Sequence, residues 1–250
     1  SVAVGFQALY NQESDAAGQD VLNTAVGSNA GQELTSGIRN TFIGGQAASG
    51  AAVTGDENTG VGFQALYSLT SGAGNVAVGQ VGGSISTGSN NTCLNGGGAV
   101  STGSNNTFVG KDAGNSGSPG GAITTGSNEI VLGDENVTEA HIQVDWTVAS
   151  DERDKTDIED LDVGLEFVNQ LQPKTYRWDQ RSLYGDEQDV SPDGTYKKDQ
   201  LDVGFLAQDV DALEEQLGFG KADKKNLISS LSEDGQMYGL RYNKFVPMLV

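Results

Sequence analysis

Along the first half of the chain, apolar and polar positions recur in step at intervals of 15 to 22 residues. The unit reads Asn-Thr-x-aliphatic-Gly-x-x-Ala. It is clearest as NTAVGSNA from Asn23, NTFIGGQA from Asn40 and NTGVGFQA from Asn58. Looser copies begin at Asn75, Asn91 and Asn106. Ser1 opens a partial copy, and NEIVLGD from Asn128 is a last one slipped by a residue. Repeats this short cannot bury their own apolar face, so they must stack. The pattern predicts one short strand per coil, with the aliphatic row Val26, Ile43, Val61, Val78, Leu94 and Val109 facing inward. The Thr or Val two positions earlier shares the face of that row. Gly suits a sharp corner, and Ala30, Ala47, Ala65 and Ala113 suit close approach of coils. Asn tolerates left-handed φ at a turn and can hydrogen-bond its stacked neighbours. With one aliphatic row per coil a single chain has a thin core, which favours association of several chains.

Near residue 150 the pattern changes to that of a mixed α+β domain. Thr156 to Glu159 has the form of a capping box, and Leu161, Leu165 and Val168 follow at helical spacing before Pro173. Thr175–Trp178 and Leu201–Leu206 read as strands. Leu206, Val210, Leu213 and Leu217 line a helix ending at Gly218. Met237–Tyr242 reads as a last strand, and Asn243 opens an apolar helix. Composition agrees with a border here. Residues 1–149 hold 28 of the 36 glycines, with 12 acidic side chains against Arg39 and Lys111. Residues 150–250 hold 22 acidic and 12 basic side chains, so each part carries half of the net charge of −20. The chain is read as a β-repeat segment over 1–133, a neck over 134–149 and a second domain over 150–250.

An acidic surface repels phosphate backbones and anionic lipids, which argues against nucleic-acid binding and membrane attachment. No run approaches the ~20 apolar residues of a membrane span. Cys93 is the sole cysteine, excluding an intrachain disulfide and a Cys-rich zinc site. No cofactor or metal is expected. Asp186, Asp189 and Asp193-Gly194 miss the spacing of a calcium loop and read as a solvated loop. His141, the only histidine, reads as a structural neck residue. The sequons at Asn91, Asn106 and Asn136 read as turn asparagines. Phe6, Tyr10, Phe63 and Tyr67, in two FQALY copies, are expected to pack between coils, with a receptor platform as the alternative.

The candidate chemistry lies at the border itself. Ser150 is followed five residues later by Lys155. A serine hydroxyl needs an adjacent base, and an amine serves once its charge is suppressed. Asp151, Glu152 and Asp154 oppose that suppression unless Arg153 neutralises them or they point elsewhere. Positions five apart on an α-helix sit roughly 140° apart. A Ser150–Lys155 contact therefore needs a turn or two chains. The bland alternative for Ser150 is a helix N-cap.

Four ordered blocks carry a resemblance: SDERDKTDIEDL from Ser150, LEFVNQLQPKTYRW from Leu165, VGFLAQDV from Val203 and YGLRYNKFVPMLV from Tyr238. Together they resemble the peptidase S74 family, the intramolecular chaperone of endosialidase-type phage tail spikes and fibres. The first module is similar to the left-handed β-roll head repeats of trimeric bacterial adhesins. The resemblance implies a mainly β fold of trimeric β-solenoid or β-roll repeats, followed by an α+β intramolecular chaperone truncated in its C-terminal helix. It implies a homotrimer that cuts itself once between Ala149 and Ser150, as a single-turnover serine autoprotease. Ser150 maps to the nucleophile, Lys155 to the base and Asp151 to a positioning residue. The implied setting is a phage tail fibre, assembled in the host cytoplasm, joined to upstream fibre or baseplate segments and meeting a protein or glycan receptor. The alternative is a bacterial surface or secreted adhesin carrying the same chaperone.

Overall fold

In a computed structural model, the described residues are 1–13, 20–80, 84–96, 100–185, 190–221, 225–232 and 235–250. They form two compact units, residues 1–136 with 180–192 and 233–237, and residues 137–179 with 193–232 and 238–250.

The first unit contains a β-solenoid. Its strands are β1 (Val2–Val4), β2 (Thr24–Val26), β3 (Thr41–Ile43), β4 (Thr59–Val61), β5 (Val76–Val78), β6 (Thr92–Leu94), β7 (Thr107–Val109) and β8 (Ile130–Leu132). They pair in chain order into one parallel sheet, each repeat in register with the next, as in Thr24 opposite Thr41 and Val26 opposite Ile43. Parallel strands need a crossover, and here the rest of each coil supplies it. The corner is glycine after seven of the eight strands, and after β6 it is Asn95 at φ of +53°. Gly44 has φ of +135°, and a Cβ there would lie 2.2 Å from the Gly62 carbonyl oxygen of the next coil.

The inward row differs from the expected one. The middle residue of each strand from β2 to β8 is buried (Ala25, Phe42, Gly60, Ala77, Cys93, Phe108 and Val131), while the aliphatic third residue points outward. Thr-x-aliphatic has period 2, so the first and third residues do share a face, but it is the outer one. A second interior row closes the core: Leu34, Val53, Leu69, Ile85, Val100 and Ile123 are all buried. Each precedes a Ser/Thr-rich turn ending in Gly, as in Ile85-Ser-Thr-Gly88. The two phenylalanines of the mid-strand row, Phe42 and Phe108, sit among smaller residues. A Cβ on Gly60 would meet Phe42 at 3.3 Å and Leu66 at 3.5 Å, so the Phe42 ring occupies the space Gly60 leaves. The core thus closes within one chain. What remains uncovered is the outer face.

The asparagines stack as a buried ladder. Asn23, Asn40, Asn58, Asn75, Asn91 and Asn106 are at most 1 % exposed. Asn75 shows the repeating unit: its backbone N–H and Nδ2 donate to Asn58 Oδ1, both at 3.0 Å, and Nδ2 also donates to the Gly88 carbonyl at 2.9 Å. Its Oδ1 accepts from the Asn91 N–H at 3.0 Å. The left-handed residue is the one before the ladder, as in Arg39, Glu57, Asn90, Asn105 and Asn128. This explains the slipped last copy. Asn128 takes the left-handed position and the Glu129 N–H caps the ladder on Asn106 Oδ1 at 2.9 Å. The sequons at Asn91 and Asn106 are therefore interior ladder members.

The second unit is small and mixed. α1 (Leu165–Val168) leads to β9 (Lys174–Tyr176), which pairs antiparallel with β10 (Asp202–Gly204). α2 (Ala207–Gln216) precedes the antiparallel pair β11 (Ser229–Leu231) and β12 (Tyr238–Leu240), and a 3₁₀ helix spans Tyr242–Leu249. The expected capping box at Thr156 to Glu159 does not form. α1 is a single turn starting after Gly164, and its buried residue is Phe167 while Leu161 and Leu165 stay exposed. Phe167, Val210, Ile228 and Met248 make the core, flanked by Leu213, Leu240 and Phe245. Among the described residues no helix is long and apolar enough to cross a membrane.

Candidate autoprocessing site

Just after Ser150 the chain makes one 3₁₀ turn, Glu152–Asp154. The turn is capped by Asp151, whose carboxylate accepts from the Arg153 N–H at 3.0 Å. The Arg153 guanidinium grips the same carboxylate through Nε at 3.0 Å and Nη2 at 2.6 Å. Lys155 resumes the extended conformation, its N–H held by the Glu152 carbonyl at 3.1 Å. This reversal brings the ends together. Lys155 Nζ lies 2.7 Å from Ser150 Oγ and 3.3 Å from the Ser150 carbonyl oxygen. The contact is made within one chain, by a turn rather than by helix geometry.

The electrostatics follow from the same bonds. Arg153, through its side chain and its N–H, holds the Asp151 carboxyl below its ordinary range. Asp151 is thus engaged by Arg153 and serves as the cap of the turn, with no hydrogen bond to Ser150 or Lys155. Among the described residues, no carboxylate forms an ion pair with Lys155. All of residues 150–155 are exposed. In this arrangement Nζ is the donor to Ser150 Oγ. Activation of the hydroxyl requires the reverse transfer.

Other sequence candidates lie elsewhere. His141 pairs with Glu139 at 2.9 Å, on the surface. Asp186 and Asp189 lie outside the described residues. Asp193 Oδ1 accepts from the Thr195 N–H at 2.9 Å, closing its own turn. Among the described residues no cluster of three or more His, Cys, Asp or Glu side chains could hold a metal. Phe6 and Tyr10 are largely exposed, while the half-exposed rings of Phe63 and Tyr67 lie beside Gly45 and Gly50 of the preceding coil.

One polar centre was not anticipated. Glu214 on α2 is fully buried and accepts from the N–H groups of Leu227, Ile228 and Ser229 at 3.0, 2.5 and 3.2 Å, and from Ser229 Oγ. Asp211, one turn earlier, accepts from Ser229 Oγ and pairs with Lys221. These carboxylates tie α2 to the entry of β11. The available signal was an acidic residue beside Val210 and Leu213, within the apolar stripe of the helix.

Residues 150–219 match the Peptidase_S74 family, described as the chaperone of endosialidase. Ser150 is thus the first matched residue, and the block from Tyr238 lies beyond the match. No curated protein and no solved structure matches the chain.

Proposed function

We propose that this chain is the C-terminal region of a trimeric phage tail fibre, in which an endosialidase-type chaperone over 150–250 assists assembly and then cuts the Ala149–Ser150 bond. The observation that carries this reading is the 2.7 Å approach of Lys155 Nζ to Ser150 Oγ at the head of the matched family segment. In the reaction, neutral Lys155 accepts the Ser150 hydroxyl proton and Oγ attacks the Ala149 carbonyl carbon. The peptide C–N bond breaks as the Ser150 nitrogen takes up a proton, leaving Ala149 as an ester on Oγ. Water then attacks that ester, releasing the Ala149 carboxylate and restoring the hydroxyl. Each chain cuts once, because its nucleophile is part of its own substrate.

The proton balance ties cutting to assembly. A lysine in water is an ammonium and cannot act as the base. Cover from neighbouring chains withdraws the amine from water and favours its neutral form. A trimer is supported by the outer face of the solenoid sheet. Val4, Val26, Ile43, Val78, Leu94, Val109 and Leu132 are 37 to 57 % exposed there. They form a row about 34 Å long at ~4.8 Å per strand, exposing on the order of 500 Å², near the upper end for a monomer. Identical chains share that rise and stay in step along the row.

Intact mass of a version extended at both ends tests the reading. Fragments parting between Ala149 and Ser150, absent in Ser150→Ala and Lys155→Ala, are expected. An uncut product under conditions where the protein is trimeric refutes the autoprotease.

A further inference from the structure

We infer that residues 141–149 act as an assembly-sensing neck: in the trimer, Ile142, Val144, Trp146 and Val148 of three copies close on a common axis and fix the Ala149–Ser150 bond for cutting. This inference rests on the trimeric self-cleaving reading above and names the element that couples its two parts.

The segment HIQVDWTVA alternates strictly, apolar at 142, 144, 146 and 148 and polar at 143, 145 and 147. Period 2 places the apolar set on one face of an extended strand. Such a face is normally covered by a protein core, yet these four residues are 52 to 73 % exposed. No backbone hydrogen bond within the chain involves residues 137–149, among the described residues. The segment is therefore patterned as a buried strand, while nothing in its own chain buries it.

The fitting occupant is the same segment of two other copies. Its apolar face carries no charge, so copies meet there without repulsion, and Asp145 lies on the opposite face. An unrelated partner would have to match a face four residues long, whereas a threefold axis brings identical residues together layer by layer. The four side chains expose on the order of 500 Å² per chain, and three chains together approach the roughly 1,600 Å² of a standard interface. The repeats before this segment already present an outer apolar row.

The consequence is local. Val148 precedes the scissile pair, so ordering of the face restricts the Ala149 carbonyl to positions the Ser150 hydroxyl can attack. It also removes water beside the Lys155 amine. In a single chain neither condition is met.

The test uses the full chain with Trp178→Phe, which leaves Trp146 as the sole indole. Sedimentation gives the oligomeric state, indole emission and quencher access report the neck, and gel densitometry gives the cutting rate. A blue-shifted, protected Trp146 is expected in the trimer. Val144→Asp puts a carboxylate in the closed face, and cutting is expected to slow by more than about tenfold. Gln143→Asp on the other face is expected to stay within about twofold of the parent, since an exposed charge costs little. Val144 is exposed in the single chain, so its substitution leaves intrachain packing intact. A sedimenting trimer with a water-exposed Trp146, or Val144→Asp cutting at the parental rate, overturns the neck while leaving the trimer standing. A monomer that cuts overturns both.

Discussion

Truncating Glu214 tests whether its buried carboxylate holds the second unit together. Its two oxygens accept from three consecutive backbone N–H groups and one hydroxyl, and the side chain has no contact with water. Glu214→Ala leaves the N–H groups of Leu227, Ile228 and Ser229 without their acceptor. A buried unsatisfied donor costs about 1–3 kcal/mol. Allowing for relaxation and entry of water, the expected loss is ~3–5 kcal/mol against the 5–15 kcal/mol typical of a folded domain. Glu214→Gln keeps one oxygen acceptor and sets an amide N–H against donors, so about 1–3 kcal/mol is expected. The assay is urea unfolding in a Ser150→Ala background, which keeps the chain length constant. It is followed through Trp178, whose Nε1 donates to Asp202 at 3.0 Å next to the β9–β10 pair. The expected order of stability is parent, Gln, Ala. An Ala variant within about 0.5 kcal/mol of the parent would refute the reasoning, because an ordinary surface substitution costs no more.

Asn75→Ala is expected to cost ~2–4 kcal/mol of solenoid stability by urea unfolding, since it orphans the Asn91 N–H and the Gly88 carbonyl. Asn105→Gly, which keeps the left-handed backbone of that position and loses only the exposed pair with Asn128, is expected to cost under ~0.5 kcal/mol. Asn75→Asp places a carboxylate oxygen against the Gly88 carbonyl, which raises its folded pKa. Its stability is therefore best below the unfolded pKa and falls as pH rises, so a pH-independent melting temperature counts against this. Burial pushes the Cys93 thiol up to about 12. It should therefore resist alkylation at neutral pH until the solenoid unfolds, and rapid labelling of the native chain contradicts the packing. The Asp151 carboxyl, held low by Arg153, should titrate by NMR below the usual carboxylate range and move back toward it in Arg153→Ala, which removes the guanidinium and keeps the backbone N–H bond. The sign follows from the depressed value: the pair's contribution is present above the unfolded pKa and is lost as pH falls through the folded one.

Much of the fold was readable because its parts answer to local rules. Glycine after most of the strands reports a backbone with little room for a side chain, and the recurring asparagine reports a site needing a donor and an acceptor at once. Ser150 and Lys155 were readable as candidate partners because a serine nucleophile needs a base within reach. The orientation of the strand was not readable. A three-residue Thr-x-aliphatic strand has two faces, and hydrophobicity alone chose the aliphatic one for the core. The core instead took the middle residue, because Leu34, Val53, Leu69, Ile85, Val100 and Ile123 fill it from the other side of the coil. The aliphatic-Ser/Thr-x-Gly signature of that row stood in the sequence.

The repeat, most of its glycine corners and the candidate residue types at Ser150 and Lys155 were legible in the sequence, since each depends on neighbours a few positions away. Only the tertiary structure decided which face is inside, that the core closes within one chain, that the 3₁₀ turn joins Ser150 to Lys155, and that Glu214 lies buried beneath β11. Those outcomes depend on what lies across a coil, a turn or a helix face, and spacing along a chain carries no information about the volume waiting there.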